Sequence, residues 1–580
     1  MSEAVIRWIA GPVLRARTSG PFHIHEALEV GEQRMLGEVI QLVDDELVAQ
    51  VYEDTTGLRP GDPVLGHGTP LAVELGPGLL GGIYDGLLRP LTAVAGHFIT
   101  PGSLSRARES RRFPFTPSVS EGQEVKPGDP LGETDGGERI LVPPHAGGRI
   151  IAVADAGEYG WSDAVCRVKH GHDEARELRL AHTWPVRRPR PVGERLPAGP
   201  PMLTGQRIID TLFPVARGGR AAIPGGFGTG KTILLEAIAK WCDADVIVYV
   251  GCGERGNEMA EVLTGFPGLE DPRSGRALME RTVIIANTSN MPVAAREASI
   301  YTGITVAEYF RDQGLHVALM ADSTSRWAEA LREVSGRLGE LPGEAGFPAY
   351  LSSRLGEFYE RCSRARTLSG SEGSVTAIAA VSPPAGDFTE PVTLHTKRYV
   401  RCFWGLDKER AQARFYPAIH PLQSYSEDAL AIEAWWEARG YTDWNRHRRV
   451  LLTVLEDQAR LERMARIVGK DALPQDQQLT LLCADLIGDG FLRQSAFSEV
   501  DRFCSADRQA AFLRLLIRFV ELARDALRTH HVAVAKIAGL DSLRKLQRLG
   551  EEFGERDLGK LDALRSAVEA ELEAVKRDAG

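Results

Sequence analysis

Short stretches of partly alternating hydrophobic and polar residues dominate the first 70 positions of the chain. Residues 37–43 (GEVIQLV) and 46–52 (ELVAQVY) show this pattern, and Asp44 and Asp45 between them can turn the chain. A Pro-Gly pair at 60–61 suits a type II turn, because proline presets φ and glycine accepts the positive φ that follows. Several short strands separated by such turns predict a small N-terminal β-barrel over residues 1–70.

A second β-rich region is expected at residues 110–185, after a connection to the core at 71–109. The sequence VKPGDP at 125–130 resembles LRPGDP at 58–63, which we interpret as reuse of one turn and not as a true repeat. Closely spaced prolines at 185, 189 and 191 predict an extended, stiff exit from this region.

The pattern changes from about residue 200, where short apolar runs alternate with segments of helical length. The runs lie at 221–224, 246–250, 283–286, 317–320 and 375–381. Strands separated by helices predict parallel βαβ units, and hence an α/β domain over residues 186–430. Beyond it, apolar residues recur at helical spacing within 450–467, 512–527 and 561–575. These stripes predict a helical domain over residues 431–580, with the stripes in its core.

Composition narrows the function classes. The chain has 580 residues, with 69 Lys and Arg against 79 Asp and Glu, so a strongly basic nucleic-acid binder is not expected. No secretory signal is seen at the start, and no apolar run approaches the ~20 residues that span a bilayer. The seven scattered cysteines form no CxxC pair, which fits a reducing cytosol and not a disulfide scaffold or cysteine zinc site.

The strongest chemical motif is GGFGTGKT at residues 225–232, which fits the P-loop pattern GxxxxGK[ST]. A predicted strand precedes it and a predicted helix follows it. Glycines let the backbone point its N–H groups at phosphates, and the helix N-terminus adds partial positive charge. Lys231 is expected to reach the β- and γ-phosphates, and the Thr232 hydroxyl to ligate Mg²⁺. The predicted nucleotide-binding residues are Gly225, Gly226, Phe227, Gly228, Thr229, Gly230, Lys231 and Thr232.

Two carboxylates follow apolar runs further along the chain. Residues 315–321 (LHVALMA) lead into Asp322, which is typical of a Walker B strand whose aspartate holds Mg²⁺ through water. Residues 248–250 lead into a glycine-rich turn that carries Glu254. Because parallel sheets present catalytic groups at the carboxyl ends of their strands, Glu254 can orient an attacking water. Spacing alone leaves open whether Glu254 is instead a solvated turn residue or an acid at a helix N-terminus.

The run GERGNE at residues 253–258, after a strand and downstream of a P-loop, resembles the catalytic A subunit of the V-type and A-type rotary ATPases. The resemblance covers nearly the whole chain. Residues 110–185 resemble the insertion that distinguishes A subunits from F-type β subunits. Further family-like segments lie at 52–58, 73–80, 322–333, 382–388 and 403–407.

The resemblance implies a multidomain fold: an N-terminal β-barrel, a β-rich insertion, a central RecA-like P-loop α/β domain with a mostly parallel sheet, and a C-terminal helical domain. It also implies site roles. Lys231 and Thr232 take the phosphate and magnesium roles, Glu254 activates water, and Arg255 lies near the γ-phosphate. Tyr416 falls where the family has an aromatic residue against the adenine, although a core tyrosine is the alternative.

The function that the resemblance implies is Mg²⁺-dependent ATP hydrolysis or synthesis at an A/B subunit interface, coupled to stalk rotation and to transport of H⁺ or Na⁺. The implied partners are a B subunit, which alternates with this chain in a heterohexamer and supplies an arginine finger, together with central and peripheral stalk subunits. The membrane ion-translocating sector is an indirect partner, and no nucleic acid is expected. The cofactor is Mg²⁺ with ATP or ADP, and the expected location is cytoplasmic, peripheral to the membrane within the complex.

Two other functions compete with this one. A homohexameric secretion-type ATPase or a Rho-like RNA translocase shares the nucleotide core. The insertion at 110–185 and the Gly-Asn-Glu that follows Arg255 argue against both of these enzymes. A non-catalytic structural or regulatory subunit is the third hypothesis, which the intact lysine, threonine and glutamate disfavour.

Overall fold

The computed structural model describes residues 2–91, 111–171, 174–271 and 273–578. Part of the predicted connection to the core, residues 92–109, and the first residue of the predicted insertion lie outside the described residues. The chain divides into two compact units. The first unit comprises Met1–Pro197, Ala244–Ser382 and Phe388–Tyr399, and the second comprises Ala198–Asp243, Pro383–Asp387 and Val400–Gly580.

The described residues contain the following strands, in chain order: β1 (Ser2–Ala10), β2 (Val13–Thr18), β3 (Glu26–Val30), β4 (Met35–Val43), β5 (Glu46–Val51), β6 (Pro63–Pro70), β7 (Ala72–Leu75), β8 (Ile83–Tyr84), β9 (Arg112–Pro117), β10 (Glu124–Val125), β11 (Pro130–Glu133), β12 (Arg139–Leu141), β13 (Gly148–Val153), β14 (Gly157–Gly160), β15 (Ala164–Lys169), β16 (Arg176–Arg179), β17 (His182–Pro185), β18 (Glu194–Leu196), β19 (Arg220–Pro224), β20 (Val246–Cys252), β21 (Thr282–Asn287), β22 (His316–Asp322), β23 (Arg364–Arg366), β24 (Glu372–Val381), β25 (Cys402–Phe403) and β26 (Tyr425–Ser426).

The α-helices of the same residues are α1 (Lys231–Trp241), α2 (Gly256–Gly265), α3 (Val293–Asp312), α4 (Thr324–Leu338), α5 (Leu351–Glu360), α6 (Pro391–Tyr399), α7 (Lys408–Gln412), α8 (Ala429–Ala438), α9 (Trp444–Val468), α10 (Gln475–Ile487), α11 (Ala506–His530), α12 (Val534–Ala538), α13 (Asp541–Gln547), α14 (Leu549–Glu552) and α15 (Leu558–Arg577). Short 3₁₀ or π turns lie at Ile208–Leu212, Phe266–Gly268, Leu278–Arg281, Glu344–Gly346, Pro384–Gly386, Lys470–Ala472, Gly488–Leu492 and Glu555–Asp557.

The first unit begins with a closed barrel whose strand order is β1-β2-β5-β4-β3-β6. Alternation places one side of each strand inside, where Leu28, Val39, Leu47 and Val64 are fully buried. Strand β6 pairs with both β1 and β3, which closes the ring of described strands without a free edge. The predicted N-terminal β-barrel is therefore confirmed.

The predicted β-rich insertion is confirmed as two four-stranded sheets, β10-β13-β15-β16 and β12-β11-β9-β14. Every pair of neighbouring strands in them is antiparallel. The chain leaves this region through β17, which pairs with β7. It then contacts α3 through Val186 and Arg190. The prediction of an extended exit over residues 185–191 is wrong at its start, where the Arg188 N–H donates to the Pro185 carbonyl at 3.1 Å and closes a turn.

The rest of the first unit contains a parallel sheet with the order β24-β22-β20-β21-β8, together with helices α2–α6. Strand β20 is buried at every position, which explains its continuous apolar run, since parallel strands are covered on both faces. In the register of the sheet, Gly251 at the end of β20 lies beside Asp322, and Cys252 lies beside Asn287. Both predicted carboxylates therefore follow strands that end at the same edge.

The second unit contains β19, which pairs in parallel with β25, and a helical domain from α8 onward. Helices α9, α10, α11 and α15 pack against one another, and Leu451, Phe512 and Val568 lie fully buried among them. The predicted helical domain is confirmed. The prediction that its stripes lie in the core is wrong at the end of α9, where Met464 is 39% and Ile467 is 86% exposed. Among the described residues, no helix has the length and hydropathy needed to span a bilayer.

Candidate active site

The P-loop lies in the second unit between β19 and α1, as its sequence context predicts. Gly228 and Gly230 adopt φ values of 77° and 87°, in the left-handed region that a side chain disfavours. Gly230 is the N-cap of α1, and the first N–H groups of a helix have no acceptor within the helix. The loop therefore offers backbone donors and partial positive charge to an anion.

Polar side chains of the P-loop fold over its own backbone. The Lys231 Nζ donates hydrogen bonds to the carbonyl oxygens of Gly225 and Gly226, at 2.8 and 3.0 Å. Thr229 is buried, and its hydroxyl donates to the Gly226 carbonyl at 2.8 Å. In contrast, Phe227 at the tip of the loop is 81% exposed. The loop thus has a fixed base and an open tip.

A cavity of about 280 Å³ lies beside the P-loop in the same unit. Tyr416 lines it, and the ring is close to the loop: a Cβ on Gly230 would lie 3.6 Å from the Tyr416 Cε1. Tyr416 is 37% exposed, so it is not the core tyrosine that was the alternative. The remaining lining residues are Gln206, Thr229, Ile233, Leu234, Ala237, Leu406, Arg414, Pro417, Ala418, Arg493, Gln494, Ser495, Ala496, Phe497 and Glu551.

The two predicted carboxylates lie together in the first unit. Asp322 ends β22 and is 3% exposed, and the Tyr249 hydroxyl of β20 donates to it at 3.3 Å. Glu254 follows β20 by two residues, in a turn where the Gly253 N–H donates to the Asn287 carbonyl at 2.6 Å. Gly253 has a φ of 73°, and a Cβ there would lie 2.7 Å from an arginine on α3. Only glycine fits this turn, which fixes the direction in which Glu254 leaves the sheet.

The pKa of Glu254 lies above that of an ordinary carboxyl group. Burial raises its pKa to about 7, and the charge of Asp322 and a hydrogen bond with Glu258 act in the same direction. A hydrogen bond from Ser323 and the charge of Arg326 oppose the rise. A carboxyl group with a pKa near neutral pH is suited to accept a proton or a hydrogen bond from water. Glu254 is half-buried and therefore not a fully solvated turn residue, and its place directly before the N-cap residue of α2 agrees with the alternative of an acid at a helix N-terminus.

Arg255 and Arg326 flank this carboxylate site differently. Arg255 is exposed and directly precedes α2 as its N-cap residue. Arg326 lies on the first turn of α4, where its guanidinium binds Glu329 at 2.9 and 3.1 Å and its charge reaches Glu254. Arg326 is a site residue that was not predicted individually, although it lies in the family-like segment 322–333. Its position at the start of α4, four residues after Asp322, was the available signal.

Family models match most of the chain. The model of the ATP synthase alpha/beta family nucleotide-binding domain matches residues 205–426, and the model of the C-terminal domain of V and A type ATP synthase matches 433–550. The model of the ATP synthase alpha/beta subunit barrel-sandwich domain matches 104–187, and the family's beta-barrel domain matches 6–68.

Known proteins similar to this chain match it from end to end. The V-type ATP synthase alpha chain of Halothermothrix orenii is 49% identical, with 97% of each chain covered. The A subunit of the A-type ATP synthase of Methanopyrus kandleri is 49% identical over 98% of each chain, and that of a Desulfurococcus species is 48% identical over 99% of each. The chain belongs to the V-type and A-type group of the ATP synthase alpha/beta family.

A solved structure of the ATPase EscN from the type III secretion system of enteropathogenic E. coli resembles this chain in fold alone. Its TM-score is 0.64 at 23% identity, with 89% of this chain and all of the other covered. The near full-length match to A subunits, together with the V and A type C-terminal domain, favours the rotary ATPase over the secretion-type and Rho-like alternatives.

Proposed function

We propose that this chain is the catalytic subunit of a V/A-type rotary ATPase and that it hydrolyses or synthesises Mg-ATP at an interface with a B subunit. Membership of the ATP synthase alpha/beta family makes it an ATP-hydrolysing or ATP-synthesising enzyme. The observation that carries the catalytic assignment is the chemistry of Glu254, a carboxyl group with a raised pKa beside Asp322, in a chain with a complete P-loop.

The nucleotide is bound by residues 225–232, with the triphosphate on the backbone N–H groups of the loop and the N-terminus of α1. Lys231 neutralises charge on the β- and γ-phosphates. Tyr416 offers its partly exposed ring to the adenine, and stacking on an aromatic face suits any base. These roles divide the cavity into a phosphate end at the loop and a base end at Tyr416.

Catalysis is assigned to the carboxylate edge of the parallel sheet. The Glu254 carboxylate accepts a hydrogen bond from the attacking water and aims its lone pair at the γ-phosphorus. Arg255, which adjoins Glu254, contributes positive charge near the γ-phosphate. Because phosphoryl transfer requires little covalent help from protein groups, position and charge supply the acceleration.

The residues assigned to magnesium fit that ion. Thr232 supplies a hydroxyl at the start of α1, and Asp322 supplies a buried carboxylate, and hard oxygen donors of this kind are what Mg²⁺ takes. Mg²⁺ would supply positive charge that offsets the charge developing on the phosphates, and Thr232 and Asp322 would hold it there.

The proposal extends to the assembly. The chain alternates with a B subunit that supplies an arginine finger, and central and peripheral stalks link it to a membrane sector that moves H⁺ or Na⁺. Its support is the similarity to proteins named as A subunits, a name that implies further subunits. We also propose the division into 1–70, 71–109, 110–185, 186–430 and 431–580 as barrel, connection, insertion, nucleotide-binding domain and helical domain.

The test uses the complex assembled from this chain and its B subunit. Glu254→Gln should lower turnover by about 10²–10⁴-fold, the usual contribution of a positioned base, while nucleotide binding persists. Lys231→Ala should weaken nucleotide binding itself. The matched control is Glu261→Gln, an exposed glutamate on α2, which should leave turnover unchanged. Turnover by Glu254→Gln close to that of the control would remove Glu254 from its role.

A second comparison tests the partner. The purified chain should show little ATPase activity alone and acquire it on addition of a B subunit, because the arginine finger comes from that neighbour. Robust activity of the chain alone would contradict the A/B interface and favour a homohexamer.

A further inference from the structure

The cavity beside the P-loop has one wall without secondary structure. Residues 493–497 all line the cavity, and they belong to no helix or strand. They follow the π turn Gly488–Leu492 in the helical domain. No backbone ladder fixes this wall, so separate hydrogen bonds to residues elsewhere in the second unit hold it in place.

Arg207 provides two of these contacts, with Arg493 and Gln494, and it also binds the chain on either side of the wall. Its side chain is fully buried, and its Nε donates to the Phe491 carbonyl at 2.7 Å, while its Nη2 donates to the Arg493 carbonyl at 2.6 Å. Both terminal nitrogens also bind the carboxylate of Asp501, the Nη2 at 3.1 Å. The Arg207 backbone N–H donates to the Gln494 Oε1 at 2.8 Å. Arg207 therefore contacts the chain just before the wall, at Phe491, within the wall, at Arg493 and Gln494, and after it, at Asp501.

The same wall is tied to the residue assigned to the adenine. The Gln494 backbone N–H donates to the Tyr416 carbonyl at 2.7 Å, and its Nε2 donates to the Gly205 carbonyl at 2.8 Å. Gln494 is 2% exposed, so water offers no replacement for these bonds. A shift of the wall away from Arg207 would therefore displace the Tyr416 backbone as well.

Arg508 also lies near Asp501, but it does not substitute for Arg207. It approaches the Asp501 carboxylate only at 3.8 Å. The guanidinium of Arg508 instead donates to the carbonyls of Val500, Phe503 and Gly550, which lie outside the cavity wall. The fork of Arg207 binds two carbonyls and a carboxylate at once, which the single ammonium group of a lysine cannot reproduce.

We propose that Arg207 is a positioning residue that fixes the cavity wall of residues 493–497 and, through it, the base end of the nucleotide site. The inference rests on the proposed function, since it takes this cavity as the nucleotide site. Arg207 does not line the cavity itself. Its side chain acts through the carbonyls of Phe491 and Arg493 and through Asp501, while its backbone N–H holds Gln494. Arg207 therefore controls affinity for the base of ATP, whereas Lys231 controls affinity for the triphosphate.

The test measures steady-state kinetics of the assembled complex, with inorganic triphosphate as a competitor that lacks the base. In Arg207→Met we expect the KM for ATP to rise about tenfold, which corresponds to about 1.4 kcal/mol, and kcat to fall by less than about threefold. The inhibition constant of triphosphate should stay within about twofold of the wild type. Arg207→Lys should give an intermediate KM, because it keeps the charge near Asp501 and loses the fork.

The matched control is Arg401→Met. The Arg401 Nε binds the fully buried Asp428 at 2.6 Å, so its loss also strands a buried carboxylate in the second unit, yet Arg401 lines no part of the cavity. Its KM for ATP should remain at the wild-type value. If Arg207→Met does not assemble, Gln494→Met keeps the Arg207–Asp501 pair and should still raise the KM for ATP without changing triphosphate inhibition.

Three outcomes overturn the proposal: an unchanged KM in the variants of Arg207 and Gln494, an equal weakening of triphosphate, or the same rise of KM in Arg401→Met. Failure of the proposed function has a separate signature. It appears as binding of ATP and triphosphate that Lys231→Ala leaves unaltered, whatever the Arg207 variants do.

Discussion

Arg187→Met is expected to destabilise the first unit strongly, because Arg187 joins two buried carboxylates. The guanidinium binds Glu38 of the barrel through Nε and Nη2, both at 2.9 Å, and it binds Glu297 of α3 at 2.8 and 3.0 Å. The side chains of Glu38 and Glu297 are only 0% and 5% exposed. Loss of one partner from a buried ion pair costs about 3–5 kcal/mol, since the remaining charge stays desolvated. That is a large part of the ~5–15 kcal/mol that stabilises a typical domain.

The effect depends on pH in a defined direction. Burial alone raises the pKa of Glu38, but the charge of Arg187 and hydrogen bonds from His25, Arg187 and Tyr52 outweigh burial and hold it well below its usual range. A carboxyl group whose folded-state pKa is depressed stabilises the fold above its unfolded pKa, about 4.3, and loses that contribution as the pH falls. The difference between wild type and Arg187→Met should therefore be largest near neutral pH and shrink below about pH 4.

Native-state hydrogen exchange on the full chain is the suitable assay, because it reports the free energy of opening for β4 and α3 separately. Arg15→Met is the matched control: Arg15 is an exposed barrel arginine over the Trp8 ring at 5.3 Å, and its loss should cost less than about 1 kcal/mol. Addition of Glu38→Gln to Arg187→Met should recover part of the loss. A cost for Arg187→Met no larger than that of Arg15→Met would refute the reasoning.

Two predictions concern the proposed site. The acidic limb of the pH profile of kcat/KM should have its midpoint above the ordinary glutamate pKa of about 4.3, because burial raises the Glu254 pKa and only the ionised carboxylate accepts a hydrogen bond from water. Activity of the assembled complex, measured with Mg²⁺ in excess, should thus rise with pH above that ordinary value, and a midpoint near 4 would contradict it. Tyr416→Ala should raise the KM for ATP by about tenfold, since stacking contributes about 1–3 kcal/mol, whereas Tyr416→Phe should leave it nearly unchanged. Equal KM values in the two variants, measured by steady-state kinetics, would argue against stacking.

Local chemistry explains what the sequence could predict. Glycine spacing defines the P-loop, alternation defines the barrel strands, and continuous apolar runs define the parallel strands, because each depends on a few neighbouring residues. The raised pKa of Glu254 is different, since it depends on Asp322, which is adjacent only through the sheet register. The wall at 493–497 is held by Arg207, almost 300 residues away in the chain, and no periodicity records that pairing. The exposed end of α9 at Ile467 shows the same limit: helical spacing identifies a face, but not where its partner ends.

Residues 185–191, which follow the insertion, also bind helix α3 through two arginines. Arg187 binds Glu297 near the start of α3, and three residues later the Arg190 backbone N–H and guanidinium bind Glu308 and Asp312 near the end of that helix. The segment that follows the insertion therefore binds α3 at two places. Loops of the two inserted sheets can be shortened, lengthened or exchanged, provided that residues 185–191 are kept. Replacement of the insertion together with residues 185–191 would also remove Arg187, which links Glu38 of the barrel to Glu297 of α3.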